Sequence, residues 1–229
     1  MKTIGLIGGM SWESTVTYYQ LLNRMARERL GGLHSAEILM WSFDFAAIEA
    51  LQAAGDWAGA TSRMIDVAQR LERGGADCLL ICTNTMHKMA DDVSAAVDIP
   101  LLHIADVTAS AINKNGANKP LLLATRYTME QDFYTQRLRD HGVDVVIPVE
   151  EDRTTVHDII YQELCQGIVQ ETSKQKYVDI VNSMTTDKAD SLIFGCTEVG
   201  LLIASDDFSI PCFDTTTLHA QAAIDFAIT

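Results

Sequence analysis

The sequence has little positive charge and no apolar run long enough to cross a membrane. Lys and Arg number 17 against 31 Asp and Glu, so the formal net charge is −14. A transmembrane helix needs about 20 predominantly apolar residues, and we therefore expect no membrane-spanning segment. The negative charge argues against nucleic acids and membranes as partners, because nucleic acids and anionic membrane surfaces would repel this chain.

The features of a secretory signal peptide are also missing. The N-terminus lacks a basic start, an apolar stretch and a small-residue cleavage site, and residues 1–4 lead directly into a strand-like segment. We therefore expect a cytoplasmic protein. Its five cysteines are an odd number, and a reducing compartment disfavours disulfides, so at least one thiol is a candidate for chemistry.

Cofactor motifs are scarce as well. Residues 5–9 read Gly-Leu-Ile-Gly-Gly, which is not the Gly-x-Gly-x-x-Gly dinucleotide fingerprint and fits a tight strand-to-helix turn. Cys78 and Cys82 have no neighbouring histidine cluster and lack zinc-ligand spacing. No lysine follows a strand in a way that suggests a Schiff base. We expect neither a metal nor another cofactor.

Strand-like and helix-like segments alternate along the 229 residues, of which 48% are hydrophobic. Short buried strands are predicted at residues 3–7, 38–41 and 79–81. Ser11 is the expected N-cap of the first helix, and Gly74 and Gly75 are expected to end a later one. This alternation predicts an α/β fold in which parallel strands are joined by helical crossovers.

An internal repeat at an offset of 113 residues is the most informative feature. The segment at 76–81 reappears at 189–194, and residues 99–102 are echoed by 210–213. The preceding helix also repeats: one apolar face carries Met64, Val67, Ala68 and Leu71, and its copy carries Tyr177, Ile180, Val181 and Met184. We predict two pseudo-symmetric α/β halves, each a mostly parallel sheet flanked by helices, with the active site in the cleft between them.

The ends of the repeated strand carry the candidate chemistry, because ligands of α/β sheets bind beyond the carboxyl ends of strands. Residues 83–87 read Thr-Asn-Thr-Met-His, and residues 195–198 read Gly-Cys-Thr-Glu. At the offset of 113, Thr83 is the counterpart of Cys196. Side chains alternate along a strand, so Cys82 is expected to point away from the site that Thr83 and Cys196 flank.

These two motifs resemble the Cys-Asn-Thr-x-His motif and the second cysteine motif of aspartate/glutamate racemases. Residues 8–15 and 124–129 also resemble that family, so the similarity spans the whole chain. The resemblance implies an isomerase that racemizes amino acids without pyridoxal phosphate, with two residues on opposite faces of Cα that remove and return a proton in turn. It also implies a homodimer, and a C-terminal helix that packs back on the first half, giving halves of 1–103 plus 213–229 and of 104–212.

The candidate catalytic residues are Cys196 and Thr83. The candidate substrate-binding residues are Met10, Ser11, Gln52, Asn84, Thr85, Thr125, Cys165 and Thr197. Hydroxyls and backbone N–H groups at strand ends can hold the substrate carboxylate as charge develops on it. A thiol must be tuned toward the thiolate by its surroundings to act as a base. His87 is interpreted as a supporting residue, and the other strand cysteines as core: Cys78, Cys82 and Cys212.

The sequence departs from the resembled family in two places. Thr83 stands where the usual first cysteine is expected, and a threonine hydroxyl is a much poorer base than a thiolate. Gln52 and Cys165 stand where aspartate-selective relatives carry basic residues. We therefore expect activity on aspartate, glutamate or a broader set of amino acids, unless another cation such as Arg126 binds the side-chain carboxylate of the substrate. The alternatives are a non-catalytic small-molecule binding module, or another cysteine-dependent reaction on this scaffold, namely hydantoin racemization, maleate isomerization or decarboxylation.

Overall fold

The computed structural model describes residues 1–185 and 188–229, and the chain divides into two compact units. The first unit comprises Met1–His103 and His219–Thr229, and the second comprises Ile104–Leu218. Each unit contains a three-stranded parallel sheet flanked by helices, which confirms the predicted α/β fold. In the described part of the chain, no helix is long and apolar enough to cross a membrane.

The first unit is built on three parallel strands. They are β1 (Ile4–Gly8), β2 (Ile38–Ser42) and β3 (Cys78–Ile81), in the order β2-β1-β3. The helices of this part of the chain are α1 (Trp12–Leu30), α2 (Phe45–Ala53), α3 (Trp57–Arg73), a 3₁₀ helix (Thr85–Met89) and α4 (Ala90–Ala95). β1 and β3 are buried along their whole length, whereas β2 lies at the sheet edge and is partly exposed.

Two helices of the first unit, α1 and α3, carry the predicted signals. Ser11 is the N-cap of α1, where its side chain accepts a hydrogen bond from the Ser14 backbone N–H. The buried face of α3 carries the predicted apolar set, Met64, Val67, Ala68 and Leu71. Gly74 caps α3, and Gly75 has a φ of +96°, a conformation that side chains other than glycine rarely adopt. The cap, the helix face and the glycine stop are confirmed.

The second unit repeats this plan. Its parallel strands are β4 (Pro120–Leu123), β5 (Ser191–Phe194) and β6 (Cys212–Asp214), which lie in that order. Its helices are α5 (Ile104–Asn115), α6 (Arg126–Glu130), α7 (Asp132–Asp140), α8 (Glu150–Gln162), a 3₁₀ helix (Leu164–Gln166), α9 (Glu171–Thr185), α10 (Val199–Leu202) and a 3₁₀ helix (Ser205–Asp207). The last helix, α11 (Thr215–Ile228), begins in the second unit and ends in the first.

The two sheets share one topology when the isolated bridges at their edges are included. Leu101 pairs with Leu79 of β3, in the position that β6 takes beside β5. Val146 pairs with Leu121 of β4, in the position that β2 takes beside β1. β3 and β5 are therefore equivalent strands, and they begin 113 residues apart as the sequence repeat predicts. The repeat in the sequence is a repeat of structure.

Alternate residues of β3 face two different cores of the first unit. Leu79 and Ile81 pack with α3 in one core. Cys78 and Leu80 pack with α1 and α11 in the other, and Cys82 joins them there. Cys82 is fully buried in this second core, as expected for the residue before Thr83.

The second unit extends past residue 212, where we expected it to end, to Leu218. β6 is the reason, since it pairs with β5 through residues 212–214. In addition, the Thr215 hydroxyl donates to the Phe194 backbone oxygen at 2.8 Å, which fixes the start of α11 to this sheet. Cys212 is half-buried against the core of the second unit.

Candidate active site

Two predicted segments lie at the same edge of the first sheet. β1 and β3 are parallel neighbours, so the turn after β1 and the segment after β3 both follow carboxyl ends at that edge. The predicted site residues in them are Met10, Ser11, Thr83, Asn84 and Thr85. All are buried except Thr83, which is half-buried.

A cluster of buried histidines supports the backbone of Thr83. Nδ1 of His87 lies 2.8 Å from the Thr83 backbone oxygen, and the nitrogen is the donor because a carbonyl oxygen accepts. The His87 ring contacts His103 and His219 edge-on, with centroids 4.7 and 5.7 Å away. His87 therefore fixes the position of the Thr83 peptide, in line with the supporting role predicted for it.

His219 links this cluster to α1. Its Nε2 donates to the Leu102 backbone oxygen at 2.8 Å, so its Nδ1 accepts from the Tyr18 hydroxyl at 2.8 Å. Burial is the main cause that lowers the pKa of His219 to about 4. The imidazole is therefore neutral at neutral pH, with one tautomer fixed by its two partners.

Gln52 lies on α2 and is buried. Its side-chain amide donates to Sδ of Met86 at 3.1 Å, which connects α2 to the 3₁₀ helix that follows Thr83. The structure therefore places this predicted substrate-binding residue beside the segment 83–87. The Gln52 amide is neutral, so this position supplies no cation for the side-chain carboxylate of a substrate.

The segment after β5 holds a thiol and a carboxylate in direct contact. Cys196 is 7% exposed and Glu198 is 3% exposed. The Cys196 thiol donates to Oε2 of Glu198 at 2.9 Å, and the Thr197 hydroxyl donates to the same oxygen at 2.6 Å. Thr197, a predicted substrate-binding residue, thus uses its hydroxyl to hold Glu198.

The pKa of the Cys196 thiol lies well above its ordinary value. Burial is the largest cause, and electrostatic interactions with the Glu198 carboxylate and with the nearby Cys165 act in the same direction. The resting protein therefore holds Cys196 as a neutral thiol at neutral pH. Burial and an adjacent carboxylate both disfavour a second anion, so the resting site does not by itself favour the thiolate that a base requires.

Other titratable side chains surround Cys196. Cys165 lies in the 3₁₀ helix Leu164–Gln166, half-buried and close enough to affect the pKa of Cys196. Tyr161 of α8 and Tyr177 of α9 have raised pKa values, with burial as the main cause and nearby thiols and carboxylates adding to it. The structure thus brings Cys165 and Cys196 together, beside two neutral phenols.

Thr125 follows β4, the strand next to β5, and so lies at the same sheet edge as Cys196. Its side chain caps α6 by accepting from the Thr128 backbone N–H at 3.4 Å. Arg126, the alternative cation, pairs with Glu130 at 3.2 Å. A concavity of about 320 Å³ is lined by Arg126, Tyr127, Glu130, Gln131 and His157. The second unit therefore has a cation near this edge, already paired with a carboxylate.

Glu198 is the site residue to which sequence reasoning gave no role. The available signal was a carboxylate two residues after the candidate cysteine. In an extended strand such residues are about 7 Å apart. The chain turns after β5, and only this turn brings the two side chains within hydrogen-bond distance.

Across residues 1–185 and 188–229, no group of three or more His, Cys, Asp or Glu side chains is placed to hold a metal ion. Cys78 and Cys82 lie in the core, where burial raises the pKa of both thiols, that of Cys78 to about 12. A cysteine that binds a metal must be a thiolate, and this burial disfavours the thiolate form of both residues.

Comparisons with known proteins agree with the resemblance in the motifs. Residues 7–223 match the family described as Asp/Glu/hydantoin racemase. The crystal structure of a Yersinia pestis protein, provisionally assigned as an Asp/Glu racemase, is 51% identical over 100% of both chains, with a TM-score of 0.93. That of an aspartate racemase homologue from Pyrococcus horikoshii OT3 is 35% identical over 100% of both chains, with a TM-score of 0.87. The broad specificity amino-acid racemase RacX of Bacillus subtilis (strain 168) is 26% identical over 161 residues, which cover 70% of this chain and 69% of RacX.

Proposed function

The chain belongs to the Asp/Glu/hydantoin racemase family and is an isomerase, and we propose that it interconverts the L and D forms of aspartate, glutamate or a broader set of amino acids. The proposed reaction is proton transfer at Cα by protein side chains, without pyridoxal phosphate or a metal. The observation that carries it is the Cys196 thiol in contact with Glu198 after β5, where an α/β sheet binds its ligands.

In this proposal Cys196 and Thr83 act on opposite faces of the substrate Cα. One side removes the α-proton and the other supplies a proton to the opposite face, which inverts the carbon. Cys196 is a competent base once it is a thiolate, whereas Thr83 donates or relays a proton through its hydroxyl. The His87 hydrogen bond at 2.8 Å supports the role of Thr83, because it fixes the peptide that carries this hydroxyl.

The substrate carboxylate requires donors that strengthen their hydrogen bonds as negative charge develops on it. We assign this task to residues at the strand ends of both sheets, Met10, Ser11, Asn84, Thr85, Thr125 and Thr197. All of them are buried, so their dipoles act where water does not screen them. Because the Thr197 hydroxyl donates to Glu198, the assignment for Thr197 is its backbone N–H.

Broad specificity follows from the neutral side chains of Gln52 and Cys165. A substrate carboxylate that is buried without a partner charge carries a large desolvation cost, so neutral side chains are better suited to these positions. Arg126 is paired with Glu130, so it is not a free alternative cation. RacX of Bacillus subtilis is named a broad specificity racemase, which supports the proposal. Strict selectivity for aspartate that persists in Arg126→Ala would contradict it.

Deuterium incorporation at Cα tests the proposed function. The protein is dialysed against a chelator and incubated in deuterated water with each enantiomer of acidic amino acids, of neutral amino acids and of 5-substituted hydantoins. Proton NMR then follows the label at the stereogenic carbon, and chiral chromatography follows the enantiomers. A racemase labels Cα and forms the opposite enantiomer. Binding without exchange would identify a binding module, and exchange confined to hydantoins would identify a hydantoin racemase. Activity that returns only with zinc or pyridoxal phosphate would contradict the cofactor-independent reaction.

We also propose that the protein is a homodimer. Large apolar side chains are exposed on α1 and β2 at Trp12, Val16, Tyr19 and Met40, around a concavity of about 220 Å³. Contiguous exposed apolar surface marks an interaction site, and a second copy of this chain is the proposed occupant.

Sedimentation equilibrium should therefore give twice the mass of the chain. Val16→Arg should shift the protein toward the monomer, because it puts a charge into the apolar face. Val149→Arg changes an exposed valine at the start of α8 and should leave the mass unchanged. A wild-type monomer, or equal effects of the two variants, would contradict this interface.

A further inference from the structure

The carboxylate beside Cys196 has a role that the two-sided proton transfer does not yet include. We infer that Glu198 is the internal base that takes the thiol proton of Cys196 and so generates the thiolate. The catalytic consequence rests on the proposed racemase function. The proton transfer itself concerns the enzyme alone, so it is testable without substrate.

The geometry suits such a transfer. Oε2 of Glu198 lies 2.9 Å from Sγ of Cys196 and accepts the thiol hydrogen. The Thr197 hydroxyl donates to the same oxygen at 2.6 Å, which holds it in front of the thiol. All three residues are buried, so the thiol proton has a preset acceptor away from bulk water.

The electrostatics of the segment explain why an internal acceptor is needed. If Cys196 released its proton to water, two anions would lie side by side in a buried segment, which is costly. Transfer to Glu198 leaves one thiolate and one neutral carboxylic acid, so the total charge of the pair does not change. The pair then shares one proton.

The protons balance over one complete turnover. The S–H bond of Cys196 breaks and an O–H bond forms at Oε2 of Glu198. The thiolate then takes the α-proton, and the electron pair of the Cα–H bond moves toward the substrate carboxylate. Thr83 supplies a proton to the other face of Cα. The Cys196–Glu198 pair now holds two protons and returns one to solvent, while the Thr83 side regains one from solvent.

Several titratable groups act on this pair or on its immediate neighbours. They are Tyr127 of α6, Tyr161 of α8, Glu163 directly after α8, Cys165 of the following 3₁₀ helix and Tyr177 of α9. Burial raises the pKa values of Tyr161 and Tyr177, so both stay neutral through the neutral range. Glu163 is a second carboxylate near these groups, since it affects the pKa of Tyr177, and it serves as the control.

The pH dependence of Cys196 alkylation tests the inference. Iodoacetamide reacts with thiolates, and peptide mass spectrometry reports Cys196 separately from the other cysteines. In the wild type the internal transfer gives a constant thiolate fraction while the pair holds one proton, so the rate should be nearly flat from about pH 6 to pH 8. In Glu198→Gln the thiol must lose its proton to water, so the rate should rise about tenfold per pH unit.

Two further variants separate the acceptor from its charge. Glu163→Gln removes one charge from the same surroundings but leaves the contact between Cys196 and Glu198, and it should keep the flat profile. Glu198→Asp keeps the charge but withdraws the oxygen from Sγ, and it should show the steep profile of Glu198→Gln. Circular dichroism and urea unfolding identify any variant that does not fold.

The outcomes are distinct. A flat profile in folded Glu198→Gln, or in Glu198→Asp if Glu198→Gln does not fold, would overturn the inference. Equal profiles for Glu163→Gln and Glu198→Gln would also overturn it, since charge alone would then explain the effect. If the expected profiles appear but the wild type exchanges no α-hydrogen, the proton transfer stands and the racemase proposal fails. If the protein racemizes and the profiles do not differ, only the role of Glu198 is wrong.

Discussion

Cys82 and Cys196 are both buried thiols, but their contacts give them different properties. Cys82 packs in the core formed with α1 and α11, where burial alone raises its pKa. Cys196 donates to the carboxylate of Glu198. A proton acceptor within hydrogen-bond distance, rather than burial, distinguishes the candidate catalytic thiol.

Cys196→Ser should therefore abolish turnover, whereas Cys82→Ser should not. The serine hydroxyl of Cys196→Ser has too high a pKa to act as the base, and losing general base catalysis costs about 10²-fold or more. Cys82→Ser buries a hydroxyl in an apolar core and should lower the free energy of unfolding by about 1–3 kcal/mol. Initial rates and urea unfolding measure the two effects. A folded but inactive Cys82→Ser would mean that the first motif is shifted by one residue.

Thr83 and Cys196 form an unequal pair, which should separate hydrogen exchange from inversion. Cys196 removes and returns a proton on its own face without Thr83, whereas inversion needs a proton from the Thr83 hydroxyl, which is a poor acid near neutral pH. The enantiomer whose α-hydrogen faces Cys196 should therefore exchange with deuterated water faster than it inverts.

Thr83→Cys should bring the exchange and inversion rates closer together, because it supplies a second thiol. Proton NMR of each enantiomer gives the exchange rate, and chiral chromatography gives the inversion rate. The kcat/KM values of the two directions must stay equal, since two enantiomers are equally stable in an achiral solvent. Equal exchange and inversion in the wild type would show that Thr83 relays protons efficiently.

At the scale of elements, the turn after β5 positions the reactive segment, and Gly195 allows that turn to pack closely against β4. A Cβ atom at Gly195 would lie 2.4 Å from Cδ1 of Leu122 and 3.1 Å from Cβ of Ala124. Both neighbours belong to β4 or directly follow it, and both are fully buried. The contact between Cys196 and Glu198 therefore depends on close packing of two neighbouring strands.

Gly195→Ala should lower the free energy of unfolding by about 1–3 kcal/mol, because it overpacks this contact. It should also reduce activity by displacing Cys196 from Glu198. Gly200→Ala is the matched control, since its new Cβ would have its nearest contact at 4.0 Å, to the Asp214 carboxylate. Urea unfolding and initial rates test both variants, and equal losses in the two would refute this account.

At the scale of the whole molecule, α11 starts on the second sheet and ends in the core of the first unit. Its His219 hydrogen-bonds to Tyr18 of α1 and to the backbone of Leu102. This histidine is buried and has a pKa of about 4 in the fold. Its neutral form is therefore part of what holds α11 to the first unit.

The free energy of unfolding should fall as the pH falls from about 6.5 to about 4. The unfolded pKa of histidine is about 6.5, so the contribution of His219 is fully present above that pH and is lost as the pH approaches the folded value. The loss amounts to about 3 kcal/mol. Urea unfolding across this range measures it. His219→Gln should remove this part of the pH dependence, whereas the change of an exposed histidine, His34→Gln, should keep it.

The sequence by itself determined several strands and helix boundaries, and the repeat. The helix face of Met64, Val67, Ala68 and Leu71, the Ser11 cap and the Gly74 stop are local signals, because each depends on residues within one or two helical turns. The offset of 113 residues between β3 and β5 was equally visible, since equivalent strands bury similar side chains. The family follows from the strand-end motifs, which are contiguous in the chain.

Only the tertiary structure decided how the candidate groups meet. The contact of Cys196 with Glu198 depends on a turn after β5. The support of Thr83 depends on His87, which packs against two other histidines. The extent of the second unit depends on the pairing of β6 with β5. The protonation state of Cys196 is also a tertiary property, because burial beside a carboxylate favours the thiol. The physical reason is that hydrogen bonds and desolvation depend on the distances between folded segments, which local residue patterns do not specify.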